Sequence, residues 1–148
     1  MKYYLKALQN YASFSGRARR SEYWYFVLFN VIFSVVAILL DNLLGTTFNL
    51  GYGVSLPYGY IYLIYVLVMI IPSLSVSVRR LHDVGKSGWM YFIVLIPLIG
   101  AIWLLVLFFT DSQAASNKWG ANPKLNGLSM DALTGEDADD ILKLFYSK

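Results

Sequence analysis

Three long apolar blocks limit what this chain can become more than any other feature. Residues 23–40 contain no charged side chain, and the run extends to Leu44 if Asp41 lies among lipid headgroups. Residues 58–78 and 88–110 form a second and a third uncharged block. A hydrocarbon core about 30 Å thick is crossed by about 20 helical residues rising 1.5 Å each, so every block is long enough to span. A soluble core would scatter its apolar residues at helix or strand period instead of gathering them into runs. Composition agrees: 57% of residues are hydrophobic and 14% charged, against roughly 45–50% and about 25% in a soluble domain. Pro72 in the second block, and Pro97 with Gly100 in the third, predict bends.

The flanks of the blocks complete the expected architecture. Tyr4, Ala7, Leu8 and Tyr11 follow the i, i+3, i+4, i+7 spacing, so Lys2–Phe14 is expected to hold an amphipathic helix too short to cross a membrane. Ser15-Gly16 ends it and Arg17, Arg19 and Arg20 follow, making residues 1–22 an interfacial, basic segment. A long basic region and no small-residue cleavage site argue against a secretory signal. Residues 111–148 form a polar tail whose Asn117–Pro123 stretch is rich in turn formers. A helix is expected there over about 135–146, started by Thr134 and Asp137, with Ala138, Ile141, Leu142 and Phe145 as an apolar docking face. Its acidic residues suit a protein surface better than an anionic membrane. The fold expected is an all-α membrane protein: transmembrane helices over about 23–44, 58–78 and 88–110, between an N-terminal interfacial and a C-terminal amphipathic helix.

Orientation follows Lys and Arg in short flanking segments. Lys2, Lys6, Arg17, Arg19 and Arg20 precede the first block, and Arg79, Arg80 and Lys86 lie between the second and third. Those eight oppose two, Lys118 and Lys124, after the third block, which predicts a cytoplasmic N-terminus. Three crossings then carry the C-terminus outside. A re-entrant or fourth crossing would reverse its side, and the absence of a long apolar run in residues 41–57 argues against one.

Few residues invite chemistry. There is no cysteine and only one histidine, His82, so neither thiol catalysis nor a multi-histidine metal site is available, and no metal or other cofactor is expected. Gly85-Lys86-Ser87 resembles the end of a phosphate loop, but Arg80 stands where the motif needs glycine. His82 beside Asp83 suits proton transfer less well than a structural role, with Arg79 and Asp83 pairing at i, i+4. The net charge of +3 and pI near 9.1 come without a DNA-reading motif, so no nucleic-acid partner is expected. Arg17, Arg19, Arg20, Arg79, Arg80, His82, Asp83 and Lys86 instead gather at one membrane face, where they suit anionic headgroups or a membrane-protein partner, a second copy included. Asn30, Ser73 and Ser77 are candidates for helix packing. A polar transport path in an oligomer is the alternative, but no Asp, Glu, Lys or Arg lies at the middle of a block. A non-enzymatic membrane modulator is the leading reading.

The motifs also carry a resemblance. Phe14-Ser15-Gly16-Arg17-Ala18-Arg19-Arg20-Ser21-Glu22-Tyr23-Trp24, Arg79-Arg80-Leu81-His82-Asp83 with Ser87-Gly88-Trp89, Pro97-Leu98-Ile99-Gly100 and the Asn117–Pro123 turn cover about residues 1–125. Together they resemble the bacterial membrane proteins catalogued as domain of unknown function 805. The resemblance implies a small inner-membrane protein and brings no reaction, cofactor or catalytic residue with it.

Overall fold

The computed structural model describes residues 2–124, so the expected tail helix and its face Ala138, Ile141, Leu142 and Phe145 lie outside the described residues. The elements are α1 (Lys2–Gln9), α2 (Arg20–Leu44), β1 (Thr47–Asn49), β2 (Ser55–Gly59), α3 (Tyr60–Asp83), a 3-10 helix (Gly88–Leu95) and α4 (Ile99–Phe109). Two compact units divide the described residues: residues 2–14 with Ser21–Ser77, and Ser15–Arg20 with residues 78–124.

α2 and α3 are helices because uncharged, largely apolar residues run unbroken between polar ends, and a backbone away from water satisfies its own N–H and C=O groups in a helix. They are 25 and 24 residues long, and both are long and apolar enough to cross a membrane. At 1.5 Å per residue each reaches roughly 36 Å, which exceeds a core of about 30 Å. Leu39, Leu43, Ile64 and Val68 stand exposed on them, a surface that suits lipid and not water. Asn30 accepts the Tyr65 hydroxyl and so joins the two helices midway. α1 is shorter than the Lys2–Phe14 helix expected. Its Tyr4 ring packs among Phe26, Phe29 and Phe33 of α2, and Ala7 is buried. Ser75 of α3 donates to the Asn10 carbonyl at 3.0 Å and the Ser13 carbonyl at 2.6 Å, which stitches the end of this segment down.

The connection between α2 and α3 is more ordered than its Gly, Asn and Thr content predicts. β1 and β2 pair antiparallel, Thr47 opposite Gly59 and Asn49 opposite Ser55. Asp41 is fully buried and caps α3. Its carboxylate accepts the amides of Gly59 (3.0 Å), Ile61 (3.0 Å) and Tyr62 (2.9 Å) and the Thr46 hydroxyl (2.6 Å). Gly59 occupies the N-cap position but has no side chain to cap with, so Asp41 supplies the acceptor from 18 residues upstream.

The second unit begins with the last turn of α3. Gly85 ends that helix at φ +76°, with Lys86 N–H reaching the Leu81 carbonyl (2.8 Å) and Gly85 N–H the His82 carbonyl (3.1 Å). That is a Schellman stop, and it assigns Gly85-Lys86 a backbone role. The third apolar block departs from expectation. It is not one continuous helix over 88–110 but the 3-10 helix and α4, separated at Ile96–Leu98. Pro97 has no N–H and disfavours helical backbone at the residue before it, and Leu98 takes φ +62°. Gly100 then folds back so closely that a Cβ on it would lie 1.7 Å from the Ile93 carbonyl oxygen. Glycine is required for that approach.

Candidate functional site

The distinctive polar residues converge on the last turn of α3. Asp83 is fully buried there, and its two carboxylate oxygens are shared among three segments. Oδ1 accepts Arg17 Nε at 3.0 Å, whereas Oδ2 accepts Arg80 Nη1 and, at 2.5 Å, the Ser112 hydroxyl. The side chains of Arg17 and Arg80 are 1% and 0% exposed, beside 0% for Asp83.

A guanidinium has five N–H donors, and burial is tolerable only if they are met. Arg17 meets all of them. Beyond Asp83 Oδ1, it donates to the backbone carbonyls of Ala115 (2.9 Å), Gly120 (3.3 Å), Gln113 (2.6 Å) and Asp83 (3.3 Å). Arg80 donates to the carbonyls of Phe108 (3.4 Å) and Thr110, the unsatisfied end of α4. Backbone bonds reinforce the junction: Ala18 N–H to the Arg79 carbonyl and Gln113 N–H to the Asp83 carbonyl, both 3.0 Å. One carboxylate and two guanidinium groups thus clamp the Ser15–Arg20 arm, the end of α3 and residues 108–120 together.

His82 is the second anchor. Its ring stacks on Trp119 with centroids 4.4 Å apart and planes 11° from parallel, and Lys118 Nζ lies 4.3 Å from the centre of the Trp119 ring. His82 Nδ1 is 3.2 Å from the Gly16 carbonyl, which can only accept, so Nδ1 carries the proton. Asn117 donates to the His82 carbonyl at 2.9 Å and closes a tight turn with Gly120. Asn122, also buried, donates to the Ala114 carbonyl at 3.1 Å.

Of the cations grouped together by sequence, Arg17 and Arg80 therefore have their N–H groups committed to protein acceptors, and Arg79 is buried as well. Where Arg79 was expected to meet Asp83 on the helix surface, Asp83 is instead buried under Arg17, Arg80 and Ser112. Arg20 and Lys86 are exposed and Arg19 is half-buried. The Arg20 guanidinium lies 5.6 Å from the Phe109 ring centre, a cation–π placement. Exposed Lys124 pairs with Asp111 at 2.7 Å, and that hydrogen bond holds the Asp111 carboxyl below its usual range. Ser77 bonds back to the Ser73 carbonyl at 2.7 Å, within its own helix.

Sequence reasoning did not find Gln113, Ser112, Ala115 or Gly120 as members of the clamp. Three of these serve through backbone carbonyls, which any residue possesses. Trp119 lies inside the Asn117–Pro123 motif, whose composition predicts only a turn.

The clamp falls wholly within a family match. Residues 11–121 match the family described as "Protein of unknown function (DUF805)", and the chain belongs to that family. It is 40% identical over 124 residues to the inner membrane protein YhaI of Escherichia coli (strain K12), covering 84% of this chain and 97% of YhaI. It is 43% identical over 128 residues to the inner membrane protein YhaH of the same strain, covering 84% of this chain and 98% of YhaH. No solved structure matches it.

Proposed function

We propose that this is a non-enzymatic protein of the bacterial inner membrane, oriented with its N-terminus in the cytoplasm, that modulates a membrane process by holding anionic headgroups at its cytoplasmic face. The observation that carries the reading is the division of labour among cations. Arg17 and Arg80 build the clamp, whereas Arg19 and Arg20 precede the first apolar block, Lys86 precedes the third, and Lys118 lies on the Asn117–Pro123 turn. Exposed Trp89 follows Lys86 by three residues, an amphipathic ring of the kind found at headgroup depth. The inner-membrane location is supported by the names of YhaI and YhaH. Orientation is supported by the cations flanking α2 and α3.

A Lys or Arg near an anionic surface contributes about 1 kcal/mol, and salt weakens it. Protein in nanodiscs containing phosphatidylglycerol and phosphatidylcholine, examined by native mass spectrometry, should retain phosphatidylglycerol selectively. Changing Arg19, Arg20, Lys86 and Lys118 to Gln together should abolish the selectivity while the protein stays folded. Selectivity that survives all four substitutions would sink the proposal.

A further inference from the structure

We propose that the third apolar block enters and leaves the bilayer at one face, as a re-entrant hairpin whose tip, Leu95–Ile99, lies among the acyl chains of a single leaflet. That both ends share a face is independent of the orientation proposed above; only the naming of that face as cytoplasmic rests on it.

Length alone does not decide between a hairpin and a crossing. The 3-10 helix has eight residues and α4 eleven, so at about 2.0 and 1.5 Å per residue each arm is roughly 16 Å long. End to end they would just cross a core of about 30 Å, and folded back they would reach its middle. The contacts at the ends decide. Where the 3-10 helix starts, a Cβ on Gly88 would lie 2.7 Å from Val78 Cγ1 and 3.5 Å from His82 Nε2. Where α4 finishes, Arg80 holds the Phe108 and Thr110 carbonyls. Entry and exit therefore meet the same turn of α3, residues 78–82. At the other extreme, Gly100 touches Ile93, seven residues earlier, which collinear helices would hold on the order of 10 Å apart.

The chemistry along the hairpin matches one leaflet. From Phe92 to Trp103 no side chain is polar. Leu95, Leu98 and Ile99 at the tip are 74%, 79% and 70% exposed, so nothing in the described chain covers them. Trp89 and Tyr91 mark the entrance, and Thr110, Asp111 and Ser112 mark the exit. Backbone at membrane depth needs internal partners. Ile96 N–H reaches the Ile93 carbonyl, Gly100 N–H the Ile96 carbonyl and Ile102 N–H the Leu98 carbonyl, at 3.0–3.1 Å, and Pro97 has no N–H to satisfy. The partner of this surface is thus the lipid of one leaflet, and residues 111–124 return to the side of the Ser15–Arg20 arm. On this proposal residue 124 lies on the side opposite to the one that three crossings would give it.

The absence of cysteine makes the test clean. Ala12→Cys, Leu50→Cys, Leu98→Cys and Ala115→Cys, each in the otherwise unaltered chain, are treated with a membrane-impermeant maleimide in spheroplasts and in inverted vesicles. Ser116→Cys serves as a second tail position should Ala115→Cys insert poorly. The hairpin requires position 115 or 116 to label from the same side as 12 and opposite to 50. It also requires position 98 to resist labelling from both sides, and a fluorophore there to be quenched best by lipids carrying nitroxides deep in the chains. Labelling of the tail together with position 50 would overturn it, as would ready labelling of position 98. If 12 and 115 label together but from outside, the hairpin stands and the proposed orientation falls.

Discussion

Removing the Asp83 carboxylate would leave the guanidinium groups of Arg17 and Arg80 buried without their anion, which is costlier than losing any exposed pair. Breaking a buried ion pair from one side costs about 3–5 kcal/mol, whereas exposed pairs contribute about 0–1 kcal/mol. Asp83→Ala should therefore lower the unfolding free energy in detergent by several kcal/mol, and Asp111→Ala, which breaks the exposed pair with Lys124, by less than about 1 kcal/mol. Comparable losses from the two would show that the buried clamp does not hold the junction. The Asp111 pair also has a defined pH sign. Its carboxyl is held below the ordinary 3.8, so its small contribution is present above that value and is lost as the pH falls through the lower folded-state pKa. Melting temperatures of Asp111→Asn and the unaltered chain should accordingly differ little at pH 7 and converge in strong acid. The clustering of Arg79, Arg80, His82 and Asp83 was legible in the sequence because the charges stand out against apolar flanks. Their acceptors were not, since carbonyls of Gln113, Ala115 and Gly120 carry no signature and the arm that supplies Arg17 is 66 residues from Asp83.

Among the elements, α2 and α3 were legible for the simplest reason: an uncharged run of about 18 residues or more has no alternative that satisfies its backbone away from water. The third block passed the same test of length and composition, yet composition counts residues without giving their direction. Pro97 and Gly100 signalled a bend, but only the approach of Gly100 to Ile93 reveals that the bend is a reversal. Gly100→Ala should be markedly more destabilising than Gly45→Ala, as read from thermal unfolding in detergent. At Gly45 an added Cβ meets nothing within 4 Å and suffers only the φ +67° backbone, a cost of about 1–2 kcal/mol. At Gly100 the added atom meets backbone that cannot swing aside. Equal effects would contradict the fold-back. Asp41 makes the same point at the opposite end of α3. Read in sequence it is the charge that ends a span, but the hairpin β1–β2 brings Gly59 and Ile61 to it. Asp41→Ala should lower stability by at least the roughly 0.5–2 kcal/mol of a lost N-cap, with hydrogen exchange accelerated at Ile61 and Tyr62 before the rest of α3. Uniform acceleration along the helix would argue against a capping role.

At the scale of the whole molecule, Arg17 and Gly120 are bonded to each other across 103 residues, so the proposed hairpin returns the chain to the side of the membrane on which the Ser15–Arg20 arm lies. The family match ends at residue 121, just past the last clamp residue, and is consistent with the clamp being part of the shared architecture. A reporter pair fused after Lys124 tests this arrangement most directly: a fluorescent protein that matures only in the cytoplasm, and a phosphatase active only after export. With the N-terminus inside, the account predicts fluorescence without phosphatase activity; phosphatase activity without fluorescence, in a chain whose N-terminus is independently found inside, would contradict it.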